Sequence, residues 1–299
     1  MLQTFDERNR NLLVNINGEI VHRDEARISP FDSLVQGGDG VWEGLRLYEG
    51  RIFKLEAHLD RLHASAVAAG FTEIPTRESI VAQIRKTLAA NGMRDGVHIR
   101  LTLTRGVKLT SGMDPRLNTA GPTLIVLAEH KRPVYDKSGL RLVTSSVRRF
   151  PPECLDARIH HANLMQSILA KIEANEAGVD DALMLDTRGF VAETNATHLF
   201  LVADGTVATG HCVSCVEGIT RATVLEICAA HDIPHAERDL TPDEFYAADE
   251  VFCTGTMGEL VAVLEIDGRA IGSGEPGPTT ARLSELFRAR TAAEGTPVV

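Results

Sequence analysis

GDGVWEGLRLYEGRIFKLEAHLDRLHASA, residues 38–66, changes its structural period once, and that change decides the fold class. GLRLY (44–48) and RIFKL (51–55) read as two strands, with Glu49-Gly50 between them as a hairpin turn. From Leu55 the apolar spacing becomes helical, through Leu59, Leu62 and Ala66, and the run stops at Gly70. Strands followed by a helix of their own, rather than strict strand–helix alternation, predict an α+β architecture.

The neighbouring sequence extends the pattern. Upstream, LLVNINGEIVHR (12–23) places Asn17-Gly18 between two alternating runs, a second hairpin. Downstream, Thr76 can cap a helix over RESIVAQIRKTLAANG (77–92), and HIRLTLTR (98–105) and PTLIVLAE (122–129) are strands. Residues 1–129 therefore form an N-terminal α+β domain, and the polar segment around Pro133 makes 130–138 an interdomain linker. Residues 139–299 form a strand-rich second domain with peripheral helices. LRLVTSS, DALMLD, GFVAE, HLFLVA, TVAT, DEVFCTGT and LVAVLEIDGRAI supply strands, while helices run over 165–178, from Thr220, and over 277–291.

Bulk properties narrow the function classes. A chain of 299 residues can bury a substantial core in about two domains. Its formal charge of −10, without a Lys/Arg-rich block, argues against a nucleic-acid partner. The first fifteen residues lack the basic flank and apolar run of a signal peptide, and no apolar run could span a bilayer. A cytoplasmic protein without a membrane partner is expected. Five cysteines are too few and scattered for a disulfide framework, and the single C-x-x-C of Cys212 and Cys215 reads as a plain loop pair. No metal site is expected.

Several segments in a fixed order now resemble the class-IV aminotransferases, the fold-type IV enzymes of pyridoxal phosphate (PLP). They are residues 38–66, LAKIEANEAGVDDALMLDTRGFVAETNATHLFLVADG, EGITRATV, ADEVFCTGTMGEL and IDGRAIGSGEPGPTT. The resemblance covers nearly the whole chain. It implies the two-domain fold of branched-chain and D-amino-acid aminotransferases, a homodimer, PLP as cofactor, and a small amino acid, amine or keto acid as substrate. It assigns Arg46, Ile219, Thr220 and Thr256 to a phosphate cup, with Met257 beside it. Glu193 becomes the carboxylate that keeps the pyridine nitrogen protonated. Trp42 and Arg105 line the substrate pocket, and Arg148, Arg149 and Arg158 are further candidates for a substrate carboxylate.

These residue types suit that chemistry. The amides opening a helix at Ile219-Thr220 favour an anion. Arg46 sits between leucines in a strand, where its fork needs a partner such as a phosphate. Each segment taken alone also fits a bland reading: a capped helix, a turn, an ion-paired arginine.

One position departs from the family. Its members attach PLP as a Schiff base to a lysine three or four residues before an asparagine that opens a helix. In RIHHANLM (158–165) that asparagine is Asn163, and His160 and Ile159 stand where the lysine would be. The six lysines are Lys54, Lys86, Lys108, Lys131, Lys137 and Lys171. Lys171 is the nearest, yet on a helix expected to bury Met165, Ile168, Leu169 and Ile172 it falls roughly 110° from the centre of that face. The expectation is thus an atypical aminotransferase that holds PLP non-covalently, with His160 as its acid/base. Two alternatives stay open: PLP-independent lyase or hydrolase chemistry on the same fold, and a noncatalytic PLP-binding or regulatory protein.

Overall fold

The change of period at Leu55 appears in the computed structural model, which describes residues 3–133, 135 and 137–299, as an edge hairpin running into a helix. The chain divides into two units. Among the described residues, one contains 3–132, Ile159–Asn163 and Thr291–Val299; the other contains Pro133–Arg158 and Leu164–Arg290. Of the expected linker 130–138, Val134 and Asp136 lie outside the described residues.

The first unit is a seven-stranded antiparallel sheet carrying two long helices. Its elements are β1 (Leu13–Ile16), β2 (Glu19–His22), α1 (Ser33–Gly37), β3 (Gly40–Tyr48), β4 (Arg51–Phe53), α2 (Leu55–Ala68), α3 (Arg77–Ala90), β5 (Val97–Thr104) and β6 (Thr123–His130). The strand order is Gly295–Pro297, β4, β3, β5, β6, β1, β2. Burial alternates along β3, placing Val41, Glu43, Leu45 and Leu47 on the core face and Trp42, Arg46 and Tyr48 on the other. Leu55, Leu59, Leu62 and Ala66 of α2 and Ile80, Ile84 and Leu88 of α3 join Leu45, Leu47, Ile99, Leu101 and Val126 in one core. Asn17 and Glu49 take positive φ in the two hairpin turns read from sequence. Thr76 caps α3 by accepting a hydrogen bond from Ser79 N–H.

The second unit is strand-rich. It comprises β7 (Leu140–Thr144), α4 (Met165–Glu176), β8 (Asp181–Leu185), β9 (Val191–Thr194), β10 (His198–Ala203), β11 (Thr206–Thr209), α5 (Ile219–Ala230), β12 (His235–Glu237), α6 (Pro242–Tyr246), β13 (Glu250–Gly255), β14 (Glu259–Ile266), β15 (Arg269–Ala270) and α7 (Pro278–Ala293). The strands form one sheet in the order β12, β11, β10, β13, β14, β7, β8, β9, with β15 beside β14. The last strand of the chain, β16 (Gly295–Pro297), belongs to the first unit, where it pairs with β4. Nothing in the sequence reading anticipated it. Among the described residues, no helix is long and apolar enough to cross a membrane.

Two expectations about α4 need correction. The face expected to be buried is the exposed one: Met165, Ile168, Leu169 and Ile172 are 64%, 52%, 44% and 46% exposed. The helix instead packs through Ala170 and Ala174 against Ala182 and Met184 of β8. Small side chains let the helix approach the sheet closely, and periodicity identifies an apolar stripe without saying which neighbour covers it. Second, Asn163 does not cap α4, which starts at Met165 with no side-chain cap. Its amide Nδ2 donates instead to Gly38 O at 3.1 Å.

Candidate functional site

In the first unit, a buried carboxylate organises the surroundings of His160. Residues 159–163 lie along the start of β3: Trp42 N–H donates to His160 O at 3.0 Å and Ala162 N–H to Gly40 O at 2.9 Å. Trp42 Nε1–H donates to His161 O at 3.2 Å. These bonds set the His160 ring 4.1 Å from the Trp42 ring, centre to centre. Arg100, facing β3 from β5, lays its guanidinium 3.4 Å over the indole. On the core side, Glu43 is fully buried and accepts four hydrogen bonds. Arg61 donates Nε–H and an Nη2–H at 2.7 Å each, His58 Nδ1 lies at 2.7 Å, and His160 Nδ1 at 3.1 Å.

The Glu43 charge is balanced without protonating His160. Burial alone would raise the Glu43 carboxyl, but His160, Arg61 and His58 override it and hold the group well below the usual carboxylate range. Arg61 supplies a compensating positive charge at 2.7 Å. Burial pushes His160 down to about 4, against the pull of Glu43. His160 is therefore neutral near pH 7, with Nδ1–H donated to Glu43 and Nε2 left as the lone-pair nitrogen.

The same sheet face holds Arg46, opposite His98 in the β3–β5 register. Burial, with Lys131, Arg100 and Arg46 nearby, pushes His98 down to about 3, so it adds no charge at neutral pH. Burial also brings Arg100 down to about 10, still cationic. Gly44 leaves the space between these groups open, since a Cβ there would stand 3.5 Å from His98 Nε2 and 3.6 Å from the Trp42 ring. The face thus combines two guanidinium groups, the neutral His98 imidazole and an indole against which His160 packs, a set suited to a planar anionic ligand.

In the second unit, Glu193 on β9 is buried and pairs with Arg149, whose Nη2 lies 2.6 Å from Glu193 Oε1. Arg149 also donates to Ser167 Oγ and Thr194 O, both at 3.2 Å. Helix α5 begins at Ile219 behind Gly218, with no side-chain cap. Its first internal bond runs from Ala222 N–H to Gly218 O, so the first-turn amides of Ile219 and Thr220 point out of the ladder. Thr254, near the end of β13 and just before Gly255, Thr256 and Met257, has a buried Oγ1 without a hydrogen-bond partner.

The substrate-side arginines are all engaged. Arg105 donates to Asp39 at 2.7 and 3.1 Å and to the carbonyls of Ala69 and Gly70, and its guanidinium lies 4.4 Å over Phe71. It also lines a pocket of about 260 Å³ with Phe71, Arg116, Asn118 and Pro122. Arg148 donates to Ser145 O, and Arg158 pairs with Asp156 on the surface. Among the lysines, Lys86, Lys108, Lys137 and Lys171 each donate Nζ to a backbone carbonyl. Lys137 reaches Gly258 O and Leu260 O, and burial holds its ammonium below the usual lysine range.

Sequence reading missed Glu43, His58 and Arg61. A signal was present: alternation from Leu45 and Leu47 puts Glu43 on the core face, and His58 lies four residues before Leu62 on the buried side of α2. A buried charge requires partners, and these two residues were its nearest helical candidates. The structure also brings His198 to Cys212 and Cys215, with one ligand atom from each within 4.8 Å of the others. The sequence reading did not connect His198 with that pair.

Comparison with known proteins agrees with this organisation. The model of the amino-transferase class IV family matches residues 40–266. The chain is 55% identical to branched-chain-amino-acid aminotransferase-like protein 2 of Arabidopsis thaliana over 97% of its length, but spans only about half, 52%, of that relative. It is 32% identical to the branched-chain-amino-acid aminotransferase of Pseudomonas aeruginosa, over 93% of this chain and 92% of that one. The T.th. branched-chain amino acid aminotransferase, solved with N-(5'-phosphopyridoxyl)-L-glutamate, superposes with a TM-score of 0.89 at 34% identity. That match covers 97% of this chain and 99% of the other.

Proposed function

This chain belongs to the amino-transferase class IV family, and from that premise we propose that it binds pyridoxal 5'-phosphate non-covalently and takes an amino acid or keto acid as substrate. His160 then stands at the position where relatives attach the cofactor to lysine. The protein acts as a homodimer in the cytoplasm. The cofactor reading is carried by the second unit, which combines a buried carboxylate, an uncapped helix N-terminus and an orphaned buried hydroxyl. An anionic, nitrogen-containing aromatic ring would answer all three.

The residues divide the work by chemistry. The first-turn amides of Ile219 and Thr220 and the Thr256 segment with Met257 would hold the phosphate, a role that the family resemblance also gives the Arg46 guanidinium. Glu193 would keep the pyridine nitrogen protonated through Oε2, because Arg149 occupies Oε1. When bound, PLP supplies the electron-withdrawing ring for amino-group chemistry. Trp42 would wall the substrate site, its indole held by the stacked Arg100; Arg105 would shape the entrance through its ion pair with Asp39. His160 would accept or return a proton at Nε2, oriented by Nδ1–H on Glu43. With burial holding it near 4, His160 acts as an acceptor at neutral pH and not as a stored proton.

Titrating PLP into the purified chain, followed by borohydride and mass spectrometry, tests this reading. The expected result is saturable binding, about tenfold or more weaker in Arg46→Ala, with no pyridoxyl adduct on protein. A reduced adduct on Lys137, or on any lysine, would overturn the role given to His160. No binding would remove the cofactor reading altogether.

A further inference from the structure

We propose that His198, Cys212 and Cys215 form a binding site for a thiophilic divalent cation, Zn²⁺, with water in the fourth position. The three side chains come from two separate parts of the second unit. His198 opens β10, and the two cysteines sit on the loop between β11 and α5. Their ligand atoms lie within 4.8 Å of one another. Tetrahedral zinc, with Zn–S of about 2.3 Å and Zn–N of about 2.0 Å, places its ligands roughly 3.5–3.8 Å apart. Closing the site needs side-chain movement on the order of 1 Å or less by that comparison.

Three features prepare this cluster for a metal. Its Nε2–H donates to Val216 O at 2.7 Å, so Nδ1 carries the lone pair that can ligate. Ligating histidines ordinarily anchor their second ring nitrogen in this way. Nδ1 and Cε1 fill the space beside Gly218, where a Cβ would stand only 2.6 Å from each. Cys215 is buried and Cys212 half-buried, which matches a site with one face open to water. Binding exchanges the two thiol protons for the cation, and both protons pass to solvent. The metal would tie β10 to the loop that leads directly into α5, and so would fix the start of that helix.

The test uses the reduced, chelator-treated full chain titrated with Co²⁺, whose thiolate charge-transfer absorption reports sulfur ligation, followed by Zn²⁺ displacement and metal analysis. One equivalent per chain is expected. The band should be lost in Cys212→Ser and in Cys215→Ser and retained in Cys154→Ser, which changes an exposed cysteine outside the cluster. Absence of the band, or its persistence in both serine variants, overturns the site. A second readout needs no variant: Zn²⁺, and not Mg²⁺, should raise the melting temperature of the wild-type chain, and no rise overturns the site as well. If the reduced protein binds no metal but readily forms a Cys212–Cys215 disulfide, the pair belongs to redox chemistry and the metal site is wrong.

Discussion

Glu43 is the residue around which the first unit's buried polar cluster is built. It is a single carboxylate with every lone-pair direction used, set between one guanidinium and two imidazoles. Glu43→Gln removes the charge that Arg61 balances and substitutes an NH₂ that cannot accept from its neighbours. Losing one partner of a buried pair leaves the other uncompensated, and the expected cost is about 3–5 kcal/mol. Urea unfolding of the variant measures it, and a loss below about 1 kcal/mol would mean that water repairs the site. His160 makes a second prediction, in pH. Between its ordinary value of 6.5 and the buried value of about 4, the unfolded chain binds more protons at this residue than the folded chain. Stability therefore rises with pH across that window and is lost as pH falls through it. Glu43 and Arg100 face the ring and retain their charges over most of the range, and the Arg61 guanidinium faces it as well. The wild type should lose more stability than His160→Gln between pH 7 and pH 4.5, while the contribution of His98 is common to both. Parallel pH profiles would refute the neutral, buried ring.

At the scale of elements, sequence period located strands and helices more faithfully than it assigned their faces. Both early hairpins, the Thr76 cap and the helical run from Leu55 follow from local rules, because Asn-Gly and Glu-Gly turns and a leucine stripe act over a few residues. Helix α4 shows where such rules stop. Its largest apolar residues form a stripe at the expected spacing, yet the sheet takes the alanine face. The missing information was the closeness of the helix–sheet approach, which is a tertiary quantity. The same limit hid Glu43 with His58 and Arg61, and His198 with the cysteine pair, since each cluster joins residues from different elements. The packing assignment can be tested directly: Ala174→Leu pushes a larger side chain into the contact with β8 and should destabilise by about 1–3 kcal/mol, read by thermal or urea unfolding. A neutral effect would mean that the helix stands off the sheet. At the start of α5, Gly218→Ala should displace His198, because the new Cβ meets its ring at 2.6 Å. The loss should be about 1–3 kcal/mol, accompanied by weaker Co²⁺ binding.

For the whole molecule, the exposed α4 stripe is the surface feature that bears on assembly. Met165, Ile168, Leu169 and Ile172 recur at i, i+3, i+4 and i+7, one continuous face rather than scattered apolar residues. Contiguous exposed apolar surface of this kind marks an interaction site, and a second copy of the chain is the occupant implied by the proposed homodimer. A two-fold interface would place the stripe, or a surface contiguous with it, against the partner, and each subunit would gain burial for side chains that its own core does not use. The net charge of −10 opposes association at long range, so the contact must come from apolar burial at close range. Association should accordingly persist in high salt, which screens the repulsion and strengthens the burial. Ile168→Glu combined with Ile172→Glu adds four like charges across a two-fold contact and removes its apolar centre. Sedimentation should find the wild type dimeric and the double variant monomeric, with far-UV circular dichroism unchanged because neither side chain supports the subunit's own core. A double variant that remains dimeric would place the interface elsewhere, and a wild-type monomer would refute the homodimer.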